Sequence, residues 1–374
     1  MLINRLIQPK IEEKLFKGKV VVIYGARQVG KTTLIKQIQA KHSDISAYYN
    51  CDESNIRDFF SKPSSTAIKQ FFGNKKLIFL DEAQRVENIG LALKLIVDNF
   101  PELQVVATGS SSFDLSNKIV EPLTGRKYEF YLYPLAMKEL AQTYDQFELK
   151  RILEQRIVFG MYPAVINSGQ EAEEILKNLA RSYSYKDILN YQGIRNPEIL
   201  EKLLQALALQ IGNEVSYNEL GRLVGINRLT VQSYVNILEQ AFIIFKLRPF
   251  SRNPRKELGK LHKIYFHDTG VRNALINNLN PLNLRNDAGV LWENFWISER
   301  IKNNSLTGRD VNKYFWRTYS RQEVDFVEEE NAQVSGFECK WNKDTVSVPS
   351  EWKNSYGKDS FALITPEVFI ESLY

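Results

Sequence analysis

The stretch KVVVIYGARQVGKTT, residues 19–33, decides the fold of the first third of the chain. Lys19–Tyr24 is a short run rich in β-branched residues, which predicts a buried strand. Gly25–Thr33 has the pattern G-x-x-x-x-G-K-[ST], and the segment LIKQIQAKH after it has helical spacing. Strand, glycine loop and helix in this order predict a phosphate-binding loop. A chance glycine loop is the alternative, and both flanking elements argue against it.

Each residue type in the loop has a physical reason. Gly25 and Gly30 let the backbone turn tightly around a phosphate, where a Cβ would clash. Backbone N–H groups and the start of the helix face the anion. Lys31 is expected to reach the β- and γ-phosphates, and Thr32 to offer its hydroxyl to Mg²⁺. The expected nucleotide-binding residues are Gly25, Ala26, Arg27, Gln28, Val29, Gly30, Lys31, Thr32 and Thr33.

A second strand ends in two acids. KLIFL, residues 76–80, is followed by Asp81 and Glu82, which is the Walker-B pattern. Asp81 is expected to hold Mg²⁺ through water, and Glu82 to polarise the attacking water as a general base or as a water-positioning group. An acidic pair at a strand end is a weak signal alone and a strong one after a phosphate loop.

A third strand, LQVVA at residues 103–107, leads into TGSSS at residues 108–112. Ser110 is the best candidate for a sensor that contacts the γ-phosphate or the attacking water. The alternative, that Ser111 and Ser112 only cap a helix, carries about equal weight. Arg126 follows a flexible glycine and is a candidate arginine finger, acting in cis or in trans. A plain surface arginine is the alternative.

The middle of the chain divides into two patterns. Residues 135–195 are helical and predict either a small lid over the nucleotide or a plain connector. In residues 196–250, two helices joined by a glycine turn and followed by a strand favour a winged helix-turn-helix. The residues expected to face DNA are Asn227, Arg228, Thr230 and Ser233. The alternative is that this module packs against the ATPase or a partner protein.

Four residues in the last third have an order typical of metal-dependent phosphodiesterases. They are Glu293 on a helix, Asp325 on a strand, and Glu338 with Lys340 on the next strand, where side chains two apart share a face. The three acids are oxygen ligands suited to a second Mg²⁺ or Mn²⁺, and Lys340 would act as the catalytic lysine. The alternative is a fold kept for binding or scaffold purposes.

Composition adds a few limits. The net charge of +5 permits nucleic-acid binding without establishing it. Basic residues concentrate at residues 248–263, RPFSRNPRKELGKLHK, for which a solvated loop is the alternative to a DNA contact. No apolar run approaches the roughly 20 residues of a membrane helix. Cys51 and Cys339 show no metal-binding spacing and fit free thiols in a reducing cytoplasm.

The sequence resembles a known family: the AAA+-type P-loop ATPases of bacteria and archaea that carry a C-terminal restriction-endonuclease-like, PD-(D/E)xK, domain. The motifs that carry the resemblance are GARQVGKTT, LIFLDEAQ, ATGSSS, LTGRKYEFYLYPL, RPFSRNPRKEL, KIYFHDTG, LWENF, EVDF and FECK. The resemblance implies an α/β multidomain protein. Its expected parts are an ATPase core with a parallel sheet at 1–134, a helical lid at 135–195, a winged helix at 196–250 and a nuclease-like domain at 251–374. It also implies ATP rather than GTP.

Three functions are consistent with these patterns. The first is a Mg²⁺-dependent ATPase whose nucleotide state switches the winged helix and the nuclease-like domain, with DNA as the expected partner. The second is a metal-dependent DNA endonuclease regulated by ATP. The third is a nucleotide-dependent switch that binds a protein partner. A ring or another homo-oligomer is a further expectation from AAA+ relatives, and a membrane partner is not expected.

Overall fold

The computed structural model describes residues 2–110, 119, 122–185, 197–251, 261–343 and 345–374. The chain separates into two compact units. The first unit contains residues 4–134 together with 240–242. The second contains residues 135–239 and 243–374, with Leu2 and Ile3. No helix in the described ranges is long and apolar enough to cross a membrane.

The first unit is a layered α/β structure. Its strands are β1 (Val20–Tyr24), β2 (Ser46–Asn50), β3 (Leu77–Asp81), β4 (Gln104–Gly109) and β5 (Lys127–Tyr131). Its helices are α1 (Gln8–Glu13), α2 (Lys31–Lys41), α3 (Ser54–Ser61), α4 (Ser65–Phe72) and α5 (Ile89–Asn99).

These five strands form one parallel sheet in the order β2-β3-β4-β1-β5. Every residue of β1, β3 and β4 is buried, as expected for central parallel strands covered on both faces. Because β4 lies between β1 and β3, their carboxyl ends meet at one edge, where open α/β sheets bind ligands. The sheet therefore brings the phosphate loop, the acidic pair and the end of β4 together.

The second unit begins with helices. They are α6 (Met137–Leu140), α7 (Gln146–Phe159), α8 (Pro163–Asn167), α9 (Ala172–Tyr185), α10 (Pro197–Leu209), α11 (Tyr217–Val224), α12 (Arg228–Gln240), α13 (Thr269–Leu275), α14 (Ala288–Thr307), α15 (Ser350–Tyr356) and α16 (Pro366–Glu371). Its strands are β6 (Glu214–Val215), β7 (Ile244–Pro249), β8 (His262–Phe266), β9 (Asn312–Arg317), β10 (Glu323–Glu330), β11 (Gln333–Cys339) and β12 (Phe361–Ile364).

One mixed sheet of seven strands runs through this unit in the order β12-β11-β10-β9-β7-β8-β6. The β9–β10 hairpin and the following strand β11 lie where the sequence predicts strands. An apolar cluster of Phe250, Trp316, Val324, Val327 and Trp352 packs on the sheet. Gly336 is required there, because a Cβ would lie 2.5 Å from the Trp352 ring.

The helix pair of the predicted winged helix is present, with a clear local cause for each boundary. Ser216 caps α11 by accepting a hydrogen bond from the Glu219 N–H, and Gly225 ends it at φ +78°. Asn227 accepts the Thr230 N–H at 2.9 Å and so caps α12. Strand β8 pairs antiparallel with both β7 and β6. The order of elements is thus helix, strand, two helices and two strands.

The expected boundary between residues 250 and 251 falls between β7 and β8, which are hydrogen-bonded neighbours. The winged-helix segment and the C-terminal region therefore share one sheet, a pairing that local sequence patterns do not encode. The expected boundary at residues 134–135 coincides with the division between the units.

The helices of residues 135–185 belong to the second unit, and their contacts there are close. The Asp268 carboxylate accepts the Met161 N–H at 2.7 Å. A Cβ on Gly270 would lie 2.1 Å from the Phe159 carbonyl oxygen. The Glu299 carboxylate accepts the Met137 N–H. This packing favours the connector interpretation over a lid that moves by itself.

Candidate functional site

The loop after β1 is shaped as a phosphate cradle. A Cβ on Gly25 would lie 2.1 Å from the Leu132 carbonyl oxygen, so only glycine fits. Gln28 and Gly30 adopt φ values of +61° and +100°, left-handed conformations of the kind found in anion-binding backbone concavities. Gly30 is the N-cap of α2, so the positive end of the helix faces the same space. The backbone therefore suits an anion.

The Lys31 side chain lies inside this loop. It is 5% exposed, and its ammonium donates hydrogen bonds to the carbonyl oxygens of Gly25 at 2.9 Å and Ala26 at 3.0 Å. The loop is held from behind by Arg5, whose guanidinium donates to the Val29 oxygen at 2.8 Å and to the Tyr133 oxygen at 2.7 Å. A positive charge is thus fixed at the place where phosphates are expected.

Asp81 is the centre of the site. Its carboxylate is buried and accepts hydrogen bonds from three hydroxyl groups. Thr32 donates at 2.7 Å and Tyr48 at 2.8 Å to Oδ2, and Thr108 donates to Oδ1. Burial and the neighbouring Asp81 raise the pKa of Tyr48, so its hydroxyl stays protonated and donates. The structure therefore brings Thr32 and Asp81 together, and their oxygens are ligands of the kind Mg²⁺ prefers.

Glu82 is held beside this centre in an unusual backbone conformation. Its φ is +53°, and its N–H donates to Thr108 Oγ1 at 3.1 Å. Its carboxylate accepts a hydrogen bond from Gln84 Nε2, which also donates to Ser110 Oγ at 3.0 Å. Glu82 and Ser110 are thus connected through Gln84. Ser111 and Ser112 lie outside the described residues.

Arg126 is not brought to the loop. It precedes β5, and its carbonyl oxygen accepts the Val20 N–H at the amino end of β1, whereas the loop follows the carboxyl end. Its guanidinium is paired with Asp98 at 2.7 Å. Arg126 therefore lies at the opposite edge of the sheet from Lys31. This geometry argues against a phosphate contact in cis and leaves a contact in trans as the interpretation to test.

The four residues expected to form a metal site in the last third do lie near one another. Burial and the nearby Asp325 carboxylate raise the pKa of Glu293 to about 8. The same two causes raise the pKa of Glu338. The Lys340 ammonium donates to Glu338 at 2.6 Å. We call Glu293, Glu323, Asp325 and Glu338, the acids that share this region, the acidic cluster.

The described residues nevertheless give no support to the predicted second metal site. Among the residues that the structure describes, no group of three His, Cys, Asp or Glu side chains is arranged to hold a metal ion. A buried lysine explains the difference. Lys263 is 3% exposed, and its ammonium lies 3.6 Å from Glu293 and 2.5 Å from Glu323. The expectation of a second Mg²⁺ or Mn²⁺ at Glu293, Asp325 and Glu338 therefore stays a prediction, and the position of Lys263 disfavours it.

The residues expected to face DNA lie around the start of α12. Asn227, Arg228 and Ser233 are exposed, and Thr230 is half-buried. The Asn227 side chain is engaged locally, because both the N–H and the hydroxyl of Thr230 donate to it. Most of the basic stretch at residues 248–263 lies outside the described residues. Its last residue is the buried Lys263, which does not face solvent.

Comparisons with known proteins agree with the first of these sites. A family model described as an AAA domain matches residues 17–141. The chain is 30% identical over 344 residues to the uncharacterized protein MJ1544 of Methanocaldococcus jannaschii, which covers 86% of this chain and 75% of that protein. It is 26% identical over 342 residues to the uncharacterized protein Rv2008c of Mycobacterium tuberculosis, covering 88% and 72%.

The chain belongs to this P-loop ATPase family. Two further family models, each described as a domain of unknown function, match later parts of the chain. They are DUF8612 at residues 150–282 and DUF4143 at residues 288–358. The DUF8612 match runs across the expected domain boundaries at residues 195 and 250. This agrees with the sheet that the winged-helix segment shares with the C-terminal region. The crystal structure of Pif1 helicase from Candida albicans aligns with a TM-score of 0.28 and 15% identity over 48% of each chain, and a match this weak carries no argument.

The sequence patterns miss several residues of this P-loop ATPase that contact the loop or the acids of the candidate nucleotide site. They are Tyr48, Gln84, Thr108 and Arg5. Gln84 belongs to the motif LIFLDEAQ and Thr108 to the motif ATGSSS, so sequence motifs point to both residues. No motif points to Tyr48, because only the pairing of β2 with β3 brings its hydroxyl to Asp81.

Proposed function

We propose that the first unit binds ATP with Mg²⁺ and hydrolyses it, and that the nucleotide state controls the second unit. The main support is the hydrogen bond of 2.7 Å from Thr32 Oγ1 to Asp81 Oδ2, close to the Lys31 ammonium held in its loop. When bound, Mg²⁺ would neutralise negative charge that develops on the phosphates during transfer. Thr32 would bind it directly, and Asp81 through water.

The residues have distinct roles in the reaction. Lys31 exchanges the carbonyl oxygens of Gly25 and Ala26 for phosphate oxygens, because an anion is the better partner for its ammonium. Glu82 orients a water molecule for attack on the γ-phosphorus. A bond forms from the water oxygen to the γ-phosphorus while a water proton passes to the Glu82 carboxylate, the bond from this phosphorus to the oxygen of the β-phosphate breaks, and ADP and phosphate leave.

The hydrogen bond from Gln84 to Glu82 constrains this step. The Glu82 carboxylate accepts from Gln84 through Oε2 in the structure, so this bond fixes the orientation in which its other oxygen can meet a water molecule. Ser110 shares the same Gln84 amide and is therefore suited to a sensor role, in which a γ-phosphate contact would release Glu82.

The decisive experiment measures nucleotide binding by calorimetry and phosphate release by the full chain. The test variant is Lys31→Ala, and the matched control is Lys69→Ala, which removes an exposed lysine of α4. We expect Lys31→Ala to lose both binding and turnover, and Lys69→Ala to keep both. If the unaltered protein takes up no Mg-nucleotide at millimolar concentrations, the proposal fails.

DNA is the partner that we propose for the second unit. The supporting observation is the pairing of β6 with β8 and of β7 with β8 around the helix pair, together with exposed Arg228 and Ser233 on α12. Binding should weaken steeply with salt, and the steepness should fall by about 0.9 for each DNA phosphate that a variant no longer neutralises. We expect this change in Arg228→Ala, measured by fluorescence anisotropy on duplex DNA.

A protein partner is the second candidate, and a specific observation favours it. Leu223 and Leu229 flank the turn between α11 and α12 and are 66% and 75% exposed. Leucines in such a position suit an apolar surface of a partner better than a phosphate backbone. Leu229→Ser should leave DNA affinity unchanged if DNA is the ligand. Loss of an associated protein with Leu229→Ser but not with Arg228→Ala would favour this candidate.

We also propose that Arg126 acts in trans in a homo-oligomer. Its exposed guanidinium, 41% accessible, and its place away from its own loop support this role. Specific turnover should then rise with protein concentration, and Arg126→Ala should remove the rise. A rate per subunit that is independent of concentration would contradict it. The nuclease alternative needs a metal at the acidic cluster, and the described residues form no such site.

A further inference from the structure

The Lys263 side chain is the least exposed charged group beside the acidic cluster. It comes from β8, where Lys263 and Tyr265 are two residues apart and share a face. Its ammonium lies between Glu293 on α14, at 3.6 Å, and Glu323 on β10, at 2.5 Å. The Phe315 ring covers it, with the ring centre 5.4 Å from Nζ. The cation is thus fixed by two acids and an aromatic ring.

The other acids of the acidic cluster have donors of their own. The Tyr265 hydroxyl donates to Glu293, and the Cys339 N–H donates to Asp325 at 2.8 Å. Lys340 donates to Glu338 at 2.6 Å. Two ammonium groups therefore lie among four carboxyl groups. One acceptor is left over: within the described residues, Glu338 Oε2 is buried without a hydrogen-bond partner.

A divalent cation needs several carboxylate or carbonyl oxygens that converge on one point with free lone pairs. A fixed ammonium close to the expected ligands repels a second cation, and burial strengthens that repulsion. Since a lone buried lysine would be costly, its partners must stay with it. Lys263 and a divalent cation thus compete for the same carboxylates.

We propose that the Lys263 ammonium is a built-in cation that takes the place of a divalent metal in the acidic cluster. The second unit accordingly holds no catalytic metal at Glu293, Asp325 and Glu338 and does not cut nucleic acid. Its acidic cluster is a structural ion-pair network that joins β8, α14, β10 and β11. This inference is independent of ATP hydrolysis in the first unit.

The test is Mn²⁺ binding to the full chain without nucleotide, followed by electron paramagnetic resonance and calorimetry. The variants are Lys263→Met, the double variant Lys263→Met/Asp325→Asn, and Asp325→Asn alone. Lys246→Met is the matched control, because Lys246 is a partly buried lysine of β7 that pairs with Glu239. Mn²⁺ bound at the phosphate loop does not affect the result, because only the Mn²⁺ binding that Asp325→Asn removes is counted.

We expect the unaltered protein and Lys246→Met to show no Mn²⁺ site that depends on Asp325. Lys263→Met should gain one equivalent, with Glu338 Oε2 as an added ligand, and the double variant should lose it. A stable, folded Lys263→Met that gains no site overturns the proposal. So does a site in the unaltered protein that Asp325→Asn removes, or plasmid cleavage with Mn²⁺ that Asp325→Asn abolishes.

Folding can be separated from binding in two ways. Thermal melts of each variant identify a sample too unstable to titrate, and Lys263→Gln then replaces Lys263→Met with a polar chain of similar length. The arm with the unaltered protein and Asp325→Asn decides against the proposal without any Lys263 variant.

Discussion

The two acidic sites of this chain solve the problem of a buried carboxylate in opposite ways. In the first unit, Asp81 is surrounded by the hydroxyls of Thr32, Tyr48 and Thr108, which are neutral donors. In the second unit, the acidic cluster is surrounded by ammonium groups of Lys263 and Lys340. Hydroxyls orient a carboxylate and leave its charge for a metal ion, whereas an ammonium cancels it. The two groups of acids therefore differ in the kind of donor that surrounds them.

The contrast extends through the rest of the second unit. Two further buried acids there are paired with cations: Glu299 with Lys302 at 2.7 Å, and Glu328 with Arg300 at 2.6 Å. Ion pairs of the first unit such as Arg126–Asp98 lie at the surface, where such pairs contribute little. The proposed catalytic acid pair of the first unit thus differs from the ion-paired acids of the second.

The largest expected effect separates the acid that does chemistry from its neighbours. Glu82→Gln should lower the rate of ATP turnover by roughly 10²–10⁴-fold, the usual contribution of a general base, with nucleotide binding retained. Glu87→Gln is the matched control, because it makes the same change at an exposed position five residues away. Turnover by Glu82→Gln at the unaltered rate would remove Glu82 from the mechanism.

The next effect tests the structural use of charge in the second unit. Asp287 accepts hydrogen bonds from Arg272 and Arg285, whose side chains are 3% and 0% exposed. Asp287→Asn would leave both cations uncompensated and should cost about 3 kcal/mol of unfolding free energy. All five tryptophans lie in the second unit, so tryptophan fluorescence in urea reports on this unit alone. Asp359→Asn, an exposed change, should have no effect.

The same aspartate predicts a pH dependence. Burial alone would raise its pKa, but the hydrogen bonds from Arg285 and Arg272 outweigh burial and lower the pKa of Asp287 from 3.8 to about 2. A lowered carboxyl pKa adds stability above pH 3.8 that is lost as the pH falls through about 2. The difference in unfolding free energy between the unaltered protein and Asp287→Asn should shrink over that interval. A constant difference would contradict the ion-pair account.

The smallest effect tests whether neutral donors position Asp81. Tyr48→Phe removes one hydroxyl from the carboxylate and should raise the Mg²⁺ concentration for half-maximal turnover roughly tenfold, as changes to outer-shell partners of metal sites do. Tyr49→Phe is the control on the same strand, since its ring packs against Phe71 instead. Equal shifts in the two variants, or none in Tyr48→Phe, would show that the hydroxyl does not matter.

The sequence alone predicts the local parts of the fold well. The phosphate loop and the strands that carry Asp81, Glu82, Asp325 and Glu338 are encoded by short patterns of apolar, glycine and acidic residues. The helix pair at residues 217–240 follows from its caps and its glycine turn. Each of these features depends on neighbours within about ten residues, which is the range of secondary-structure signals.

Long-range pairing explains the rest. The position of β4 between β1 and β3 and the contact of Tyr48 with Asp81 depend on strand order. The arrangement of β7, β8 and β9 in one sheet also depends on strand order. Lys263 shows the same limit most clearly: as sequence it closes a basic stretch, and in the fold it is a buried strand residue facing acids. Charge counts along a chain do not tell which charges face water.

One consequence of the shared sheet concerns any attempt to divide the protein. Strand β7 bonds to β8 on one side and to β9 on the other, so a polypeptide cut after residue 250 would expose both flanks of its last strand. Bare strand flanks recruit other chains and lead to aggregates. Hydrogen bonds link neighbouring strands all the way from β6 to β12, so the segment with α11 and α12 is joined through the sheet to its far end. A twist applied at β6 would therefore be transmitted through the hydrogen-bonded strands toward β12.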